Sequence, residues 1–131
     1  MYMLDTDICI YVLKNRSARL KHQFKVHKEL CISAVTYAEL CFGVANGIAA
    51  LRGGRWQQLA AFTRLLLVQP LDEAAAKRYG AIRSNLKNQG QMIGNNDLFI
   101  AAHAMSVGAV LVTNNESEFR RVPDLRLENW V

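Results

Sequence analysis

The stretch Ile93-Gly94-Asn95-Asn96-Asp97-Leu98-Phe99-Ile100-Ala101-Ala102-His103-Ala104 decides the fold class, because it joins a loop signal to the most apolar helical run of the chain. Gly94 closes a Gly-containing loop over Gln89 to Asn96, and the Asn95-Asn96-Asp97 cluster predicts the cap of a helix running to about Met105. Directly after it, Ala109 to Val112 reads as a strand that exits into Thr113-Asn114-Asn115. Working outward, the same alternation covers the rest of the chain. Met1 to Leu4 is a short strand, Ile8 to Lys14 a helix opened by Asp5, Thr6 or Asp7, and Ser17 to Lys28 a polar, basic second helix. Leu30 to Ile32 is a buried strand, and Ala34 to Ala45 a helix capped by Ser33. Asn46-Gly47 and Gly53-Gly54 punctuate the chain before a helix from about Arg55 to Leu65, and Leu66 to Gln69 is a third strand before Pro70. Asp72 to Asn88 is a long amphipathic helix, and Leu125 to Trp130 a fifth strand at an edge. Strands alternating with helices predict an α/β fold with a mainly parallel sheet and helices on its faces.

Composition narrows the class. At 131 residues the chain is expected to be one domain, burying about two-thirds of its unfolded surface. With 51% hydrophobic residues and two prolines, it reads as compact, without a disordered tail. No apolar run reaches the roughly 20 residues of a membrane span and no signal-peptide pattern is present, so a cytoplasmic protein is expected. Cys9, Cys31 and Cys41 each sit in an apolar segment and read as core thiols, since their spacing matches neither a zinc cluster nor a disulfide framework. His22, His27 and His103 also lack ligand spacing. The net charge of +5, from 16 basic and 11 acidic residues, favours a polyanionic partner.

The acidic residues carry the functional reading. Asp5 and Asp7 are the only charges before Lys14, Glu39 is the only one between Glu29 and Arg52, and Asp97 is the only one between Lys87 and Glu116. A carboxylate in an apolar setting must be paired, protonated or bound to a metal, and no Lys or Arg lies near any of them in sequence. A divalent cation would satisfy all of them. Ligands of open α/β sheets bind beyond the carboxyl ends of the strands. Asp5 follows the first strand just as Thr113-Asn114-Asn115 follows the fourth, so the candidate groups converge on one edge. Glu39 falls on the stripe Val35, Ala38, Glu39 and Phe42, whose helical spacing predicts a core-facing side. Taken singly, Asp5, Asp7 and Asp97 each also suit an N-cap worth about 1 kcal/mol. Three segments that each set their only charge beside apolar residues point instead to a shared site.

The order of a hydrophobic strand, Asp5-Thr6-Asp7, the helix segment Val35-Thr36-Tyr37-Ala38-Glu39-Leu40, then Ile93 through Ala104, then Leu111-Val112-Thr113-Asn114-Asn115, resembles PIN-domain ribonucleases. Among them it is similar to the VapC-type toxins of bacterial toxin–antitoxin pairs, along the whole chain to the ending Glu118-Phe119, Pro123, Leu127, Glu128, Asn129 and Trp130. The resemblance implies a three-layer α/β/α sandwich with a sheet of four to five strands. It implies that Asp5, Glu39 and Asp97 hold Mg²⁺ or Mn²⁺ for hydrolysis of RNA phosphodiesters, with Thr6 and Thr113 supporting the acids or water. It further implies a structured RNA substrate, foremost a tRNA loop, a homodimer, and an antitoxin whose C-terminal segment enters the active-site groove, with operator DNA in a larger complex. The apolar helices near Val35 to Ala50 and Trp56 to Leu66 are the surfaces expected to make these contacts.

Two positions depart from the pattern. Asn115 stands where many relatives carry a fourth Asp, and Asp7 where this branch often has Asn, so Asp7 and Asn115 are additional metal-ligand candidates. Glu116 and Glu118 are further candidates whose competing reading is a solvated surface, and Lys14, Arg16, Arg19, Lys21, Lys25, Lys28, Arg120 and Arg121 are cations able to flank the acidic edge. Alternative readings are a noncatalytic RNA-binding domain, or a haloacid dehalogenase-like phosphatase that shares a strand ending in Asp-x-Asp; against the second, the usual Thr two places after the second Asp is missing and no later Asp pair follows.

Overall fold

The computed structural model describes residues 1–131 and pairs five short strands in one sheet. These are β1 (Tyr2–Leu4), β2 (Leu30–Ser33), β3 (Leu67–Gln69), β4 (Val110–Val112) and β5 (Leu127–Glu128). Every pairing is parallel, in the spatial order β3-β2-β1-β4-β5. Successive strand residues point to opposite faces, and the core divides accordingly. Met3, Cys31 and Leu111 enter one apolar cluster, while Leu4, Ile32 and Val112 enter the other.

The helices that cover those faces follow from the same division. Ile82 and Leu86 of α5 (Glu73–Asn88) and Leu98, Ile100 and Ala104 of α6 (Asn95–Ser106) belong to the first cluster. The second gathers Ile8 and Cys9 of α1 (Thr6–Leu13), Leu20 of α2 (Ala18–Val26), Leu40 of α3 (Ala34–Ala45) and Leu59 and Phe62 of α4 (Ala49–Thr63). The result is a three-layer α/β/α sandwich. Full burial of Met3, Leu111 or Leu98 contributes about 2 kcal/mol each through apolar surface removed from water. Cys9 and Cys31 are buried free thiols and Cys41 is half-buried.

Local chemistry sets the boundaries. Asp5, Ser17, Ser33 and Asp72 each cap a helix by accepting from a backbone N–H two or three residues ahead, at 2.9, 3.1, 3.1 and 3.0 Å. Gly108, at φ +70°, ends α6 in the left-handed conformation, with Ala109 N–H bonding the Ala104 carbonyl at 2.9 Å. The chain then enters β4 at once.

Four expectations need correction. Gly53-Gly54 is not a break, because α4 runs through it from Ala49; nothing lies within 4 Å of where either Cβ would be, and the tertiary packing of Leu59 and Phe62 outweighs the weak helix propensity. The Asn95-Asn96-Asp97 cluster does not cap α6, since Gly94 occupies that position without a side-chain bond and Asp97 sits in the first turn. Of the stripe Val35, Ala38, Glu39, Phe42, only Val35 packs against the core, while Ala38 and Phe42 are exposed. Thr36 and Leu40 are the buried residues of α3, and Phe42 is 67% exposed. A further short helix, α7 (Glu116–Phe119), follows β4 where the sequence shows no helical period.

Candidate active site

The sheet winds outward from β1 in both directions, through β2 to β3 and through β4 to β5, so β1 and β4 flank the switch point. A crevice opens there beyond the carboxyl ends of the strands. Asp5 leaves β1 still tied to the sheet, its N–H bonding the Val112 carbonyl at 3.0 Å, and its side chain is 3% exposed. The carboxylate accepts from the Ile8 N–H and from the side chain of Thr113 at the end of β4. Thr113 Oγ1 in turn accepts from the Asn115 N–H at 2.9 Å. The position of Asp5 is therefore set from both strands.

Glu39 arrives from α3. Thr6 Oγ1 donates to Glu39 Oε1 at 2.7 Å, and the hydroxyl of fully buried Thr36 lies 3.2 Å from the same Thr6 oxygen. One hydroxyl proton serves one acceptor, so the relay runs from Thr36 to Thr6 to Glu39. Asp97 comes from the first turn of α6, where the helix N-terminus favours negative charge. Beside it stands Glu118 of α7, whose Oε1 accepts from the Gly94 N–H at 3.0 Å and whose Oε2 accepts from Asn115 Nδ2 at 2.5 Å.

A cavity of about 190 Å³ is lined by Asp5, Thr6, Asp7, Glu39, Asp97, Asn115 and Phe119. Four of these seven are carboxylates and none is a cation. The ion pairs of the chain, Met1 amino group to Glu29 and Arg120 to Glu116, lie elsewhere. Electrostatics register the imbalance. Burial, reinforced by the charges of Asp7 and Glu39, pushes Asp5 up to about 6 despite its two hydrogen bonds. Asp97 is pushed up to about 7, first by burial, then by its hydrogen bond to Glu118 and the charge there, then by Asp5 and Glu39. Burial also pushes Glu118 upward, but the Gly94 N–H, the Asn115 amide, Asp97 and Arg121 together hold it below the ordinary range. The proton of this pair therefore belongs on Asp97.

This donor set suits a hard divalent ion, being all oxygen with negative charge in excess. As placed, no three His, Cys, Asp or Glu side chains close into a ready coordination group. Glu39 is engaged by Thr6 and Asp97 by Glu118. An ion would compete with those two bonds while relieving like-charge repulsion.

The structure thus brings Asp5, Asp7, Glu39, Asp97, Thr6 and Asn115 to one cavity, with Thr113 directly behind Asp5. Asp7 is exposed at the rim. Of the two further candidates, Glu118 stands against Asp97 and is not solvated surface, while Thr36 is a buried participant that no sequence pattern singled out. A signal for each existed in retrospect: Glu118 is three residues beyond Asn115, and Thr36 three before Glu39. The basic residues are dispersed. Lys21 and Lys25 line a separate cavity with Tyr11 and Phe24, Arg19 donates to the Val131 carbonyl at 3.2 Å, and Arg121 to the Met92 carbonyl at 2.9 Å. None lines the acidic cavity itself, but Lys14 shares the neighbouring cleft with Glu39 and the charge of Arg121 reaches Glu118.

Comparison with known proteins gives a consistent result. Residues 2–125 match the family model of the PIN domain. The chain is 40% identical to the tRNA(fMet)-specific endonuclease VapC of Shigella flexneri, over 98% of this chain and 97% of that protein. It is similar to the crystal structure of DNA-bound VapBC from Salmonella typhimurium, with a TM-score of 0.94, 37% identity and coverage of 99% and 98% of the two chains. VapBC2 from Rickettsia felis, bound to a DNA fragment from its promoter, aligns with a TM-score of 0.92 at 34% identity, over 99% of this chain and 98% of that one.

Proposed function

The chain belongs to the PIN-domain family as a VapC ribonuclease toxin, and we propose on that premise that it uses Asp5, Glu39 and Asp97 to hold Mg²⁺ or Mn²⁺ and hydrolyse phosphodiester bonds of structured RNA. The observation that carries this reading is the cavity at the β1/β4 switch point, lined by four carboxylates with no cation of the protein's own. When bound, the ion supplies a polarised water and neutralises charge on the phosphate.

The chain's residues do the remaining work by holding geometry. The Ile8 N–H and the Thr113 side chain fix the carboxylate of Asp5, and the Thr36 and Thr6 hydroxyls aim Glu39. Asn115 brings no charge but fixes Glu118, which supplies an ionised carboxylate beside Asp97. Asp7 adds negative charge at the rim, where it raises the proton affinity of Asp5.

A tRNA loop is the proposed substrate, since relatives from Shigella flexneri and Salmonella typhimurium are named as tRNA(fMet)-specific endonucleases. Family membership further suggests a cytoplasmic homodimer neutralised by an antitoxin, and likeness to the DNA-bound VapBC structures suggests that toxin and antitoxin join on promoter DNA. A cleft of about 310 Å³ between α1, α3 and α4, lined by Ile10, Leu13, Leu40, Val44 and Leu59 with Glu39 among its walls, suits the antitoxin segment. No helix of the chain is long and apolar enough to cross a membrane.

Single substitutions test the assignment. Asp5→Ala, Glu39→Ala and Asp97→Ala are each expected to lower RNA cleavage at least about 100-fold while circular dichroism stays that of the wild type. Wild-type cleavage by any of the three would remove that residue from the site.

A further inference from the structure

A second opening adjoins the acidic cavity and shares three of its residues. This groove, of about 740 Å³, runs between α3 and α6 and is bordered by Thr6, Asp7, Glu39, Phe42, Asn96 and Phe99 among others. It is the destination of the α3 stripe that the sequence assigns to the core. Phe42 stands 67% exposed along it. Opposite, Phe99 is backed by a built stack: its ring lies parallel to Tyr79, with centroids 3.8 Å apart and planes 8° from each other. At the hydroxyl end of Tyr79, Arg83 donates to the phenol oxygen at 2.9 Å, its guanidinium 5.9 Å from the ring centroid. Tyr79 in turn donates to Asn95 Oδ1. The Phe99 ring is thus held from behind while its uncovered part borders the groove.

We propose that this groove seats an unpaired nucleobase adjoining the scissile phosphate, stacked on Phe99 and covered by Phe42; this rests on the ribonuclease reading above. Three observations select that occupant. The groove is continuous with the carboxylate cavity through Thr6, Asp7 and Glu39, so a strand whose phosphate lies at the acids must send its neighbouring nucleoside along it or away from the protein. Among its apolar walls, which also include Ile10, Val35 and Ala38, Phe42 and Phe99 supply aromatic rings, and bases stack on aromatic rings regardless of sequence. The Phe99 ring is also immobilised in advance by Tyr79 and Arg83, so little side-chain entropy is lost when a base continues the stack. Cleavage would then require a nucleotide free to unstack from its neighbours, which confines the enzyme to loops.

A kinetic cycle on one RNA tests this. A hairpin carrying the loop cut by the wild type is compared with the same hairpin lacking the base beside the cut, using wild type, Phe42→Ala, Phe99→Leu and Phe99→Tyr, all matched for thermal unfolding. Base removal should lower wild-type kcat/KM roughly 10-fold or more, as should Phe99→Leu on the intact RNA. The two losses should not add, and Phe99→Tyr should retain the coupling. Exposed Phe42 keeps the test open should Phe99→Leu fail to fold. Additive losses, or unchanged kcat/KM in Phe42→Ala and Phe99→Leu, would overturn the stacking site while leaving the ribonuclease intact. Loss of self-association with an unchanged ratio between the two RNAs would overturn it in favour of a protein occupant. Failure of the wild type to cut any RNA with Mg²⁺ or Mn²⁺ would remove the ribonuclease reading and this one with it.

Discussion

Asp5 shows how one residue serves two ends that oppose each other. As the cap of α1 it stabilises the fold, yet its burial among other carboxylates penalises its ionised form. Its carboxyl titrates near the ordinary 3.8 when the chain is unfolded and near 6 when folded, so between those values the folded state binds more protons. Stability fully present below pH 3.8 is therefore lost as pH rises through 6, by on the order of 2 to 3 kcal/mol. Denaturant titrations of metal-free protein across that range should show the decline, and Asp5→Asn, which keeps an acceptor for Ile8, should remove much of it. At pH 7, millimolar Mg²⁺ should raise the melting temperature of the wild type more than that of Asp5→Asn, because ligand binding to the native state adds stability. A melting temperature unmoved by Mg²⁺ and Mn²⁺ would count against the ligand set. The isolated carboxylates were readable because each interrupts an apolar run. Glu118 was legible only as one candidate beside Glu116, since its contact with the Gly94 N–H spans 24 residues and depends on β4 returning the chain to α6.

At the scale of elements, most boundaries were legible where a side chain enforces them. Ser33 and Asp72 end loops by capping, and Gly108 releases α6 into β4 through a left-handed turn. Legibility failed where propensity and packing disagree. Gly53 and Gly54 favour a break, but Leu59 and Phe62 pull the segment onto the second core cluster as one helix. Because neither glycine has a neighbour within 4 Å of a Cβ, Gly53→Ala and Gly54→Ala should each stabilise the protein by about 0.5 to 1 kcal/mol. Urea midpoints would register the gain, and a loss would mean that the pair is not helical. The stripe on α3 failed for another reason. Helical spacing identifies a shared face but not what the face meets, and here Val35, Ala38 and Phe42 meet an open groove beside the acids.

On the scale of the molecule, the strand order places function. Winding outward from β1 leaves one crevice between β1 and β4, and segments distant in sequence deliver their carboxylates to it. Alternation of strands and helices conveyed the α/β class, whereas the sheet order followed from pairings that no local pattern encodes. The surface charge tells a similar story. A net +5 pointed to a polyanion; no cation lines the acidic cavity, while Lys14 and Arg55 share the neighbouring cleft with Glu39, so cations are expected to bind RNA beside the cut rather than at it. Affinity for RNA should fall steeply as salt rises, measurable by fluorescence anisotropy. The most direct test of the metal-dependent ribonuclease is cleavage of RNA by the purified, antitoxin-free protein in the presence of Mg²⁺ or Mn²⁺ and again in excess chelator. Cutting with either ion, abolished by chelator and restored when the ion is returned, is the expected result; cutting undiminished in chelator would contradict it.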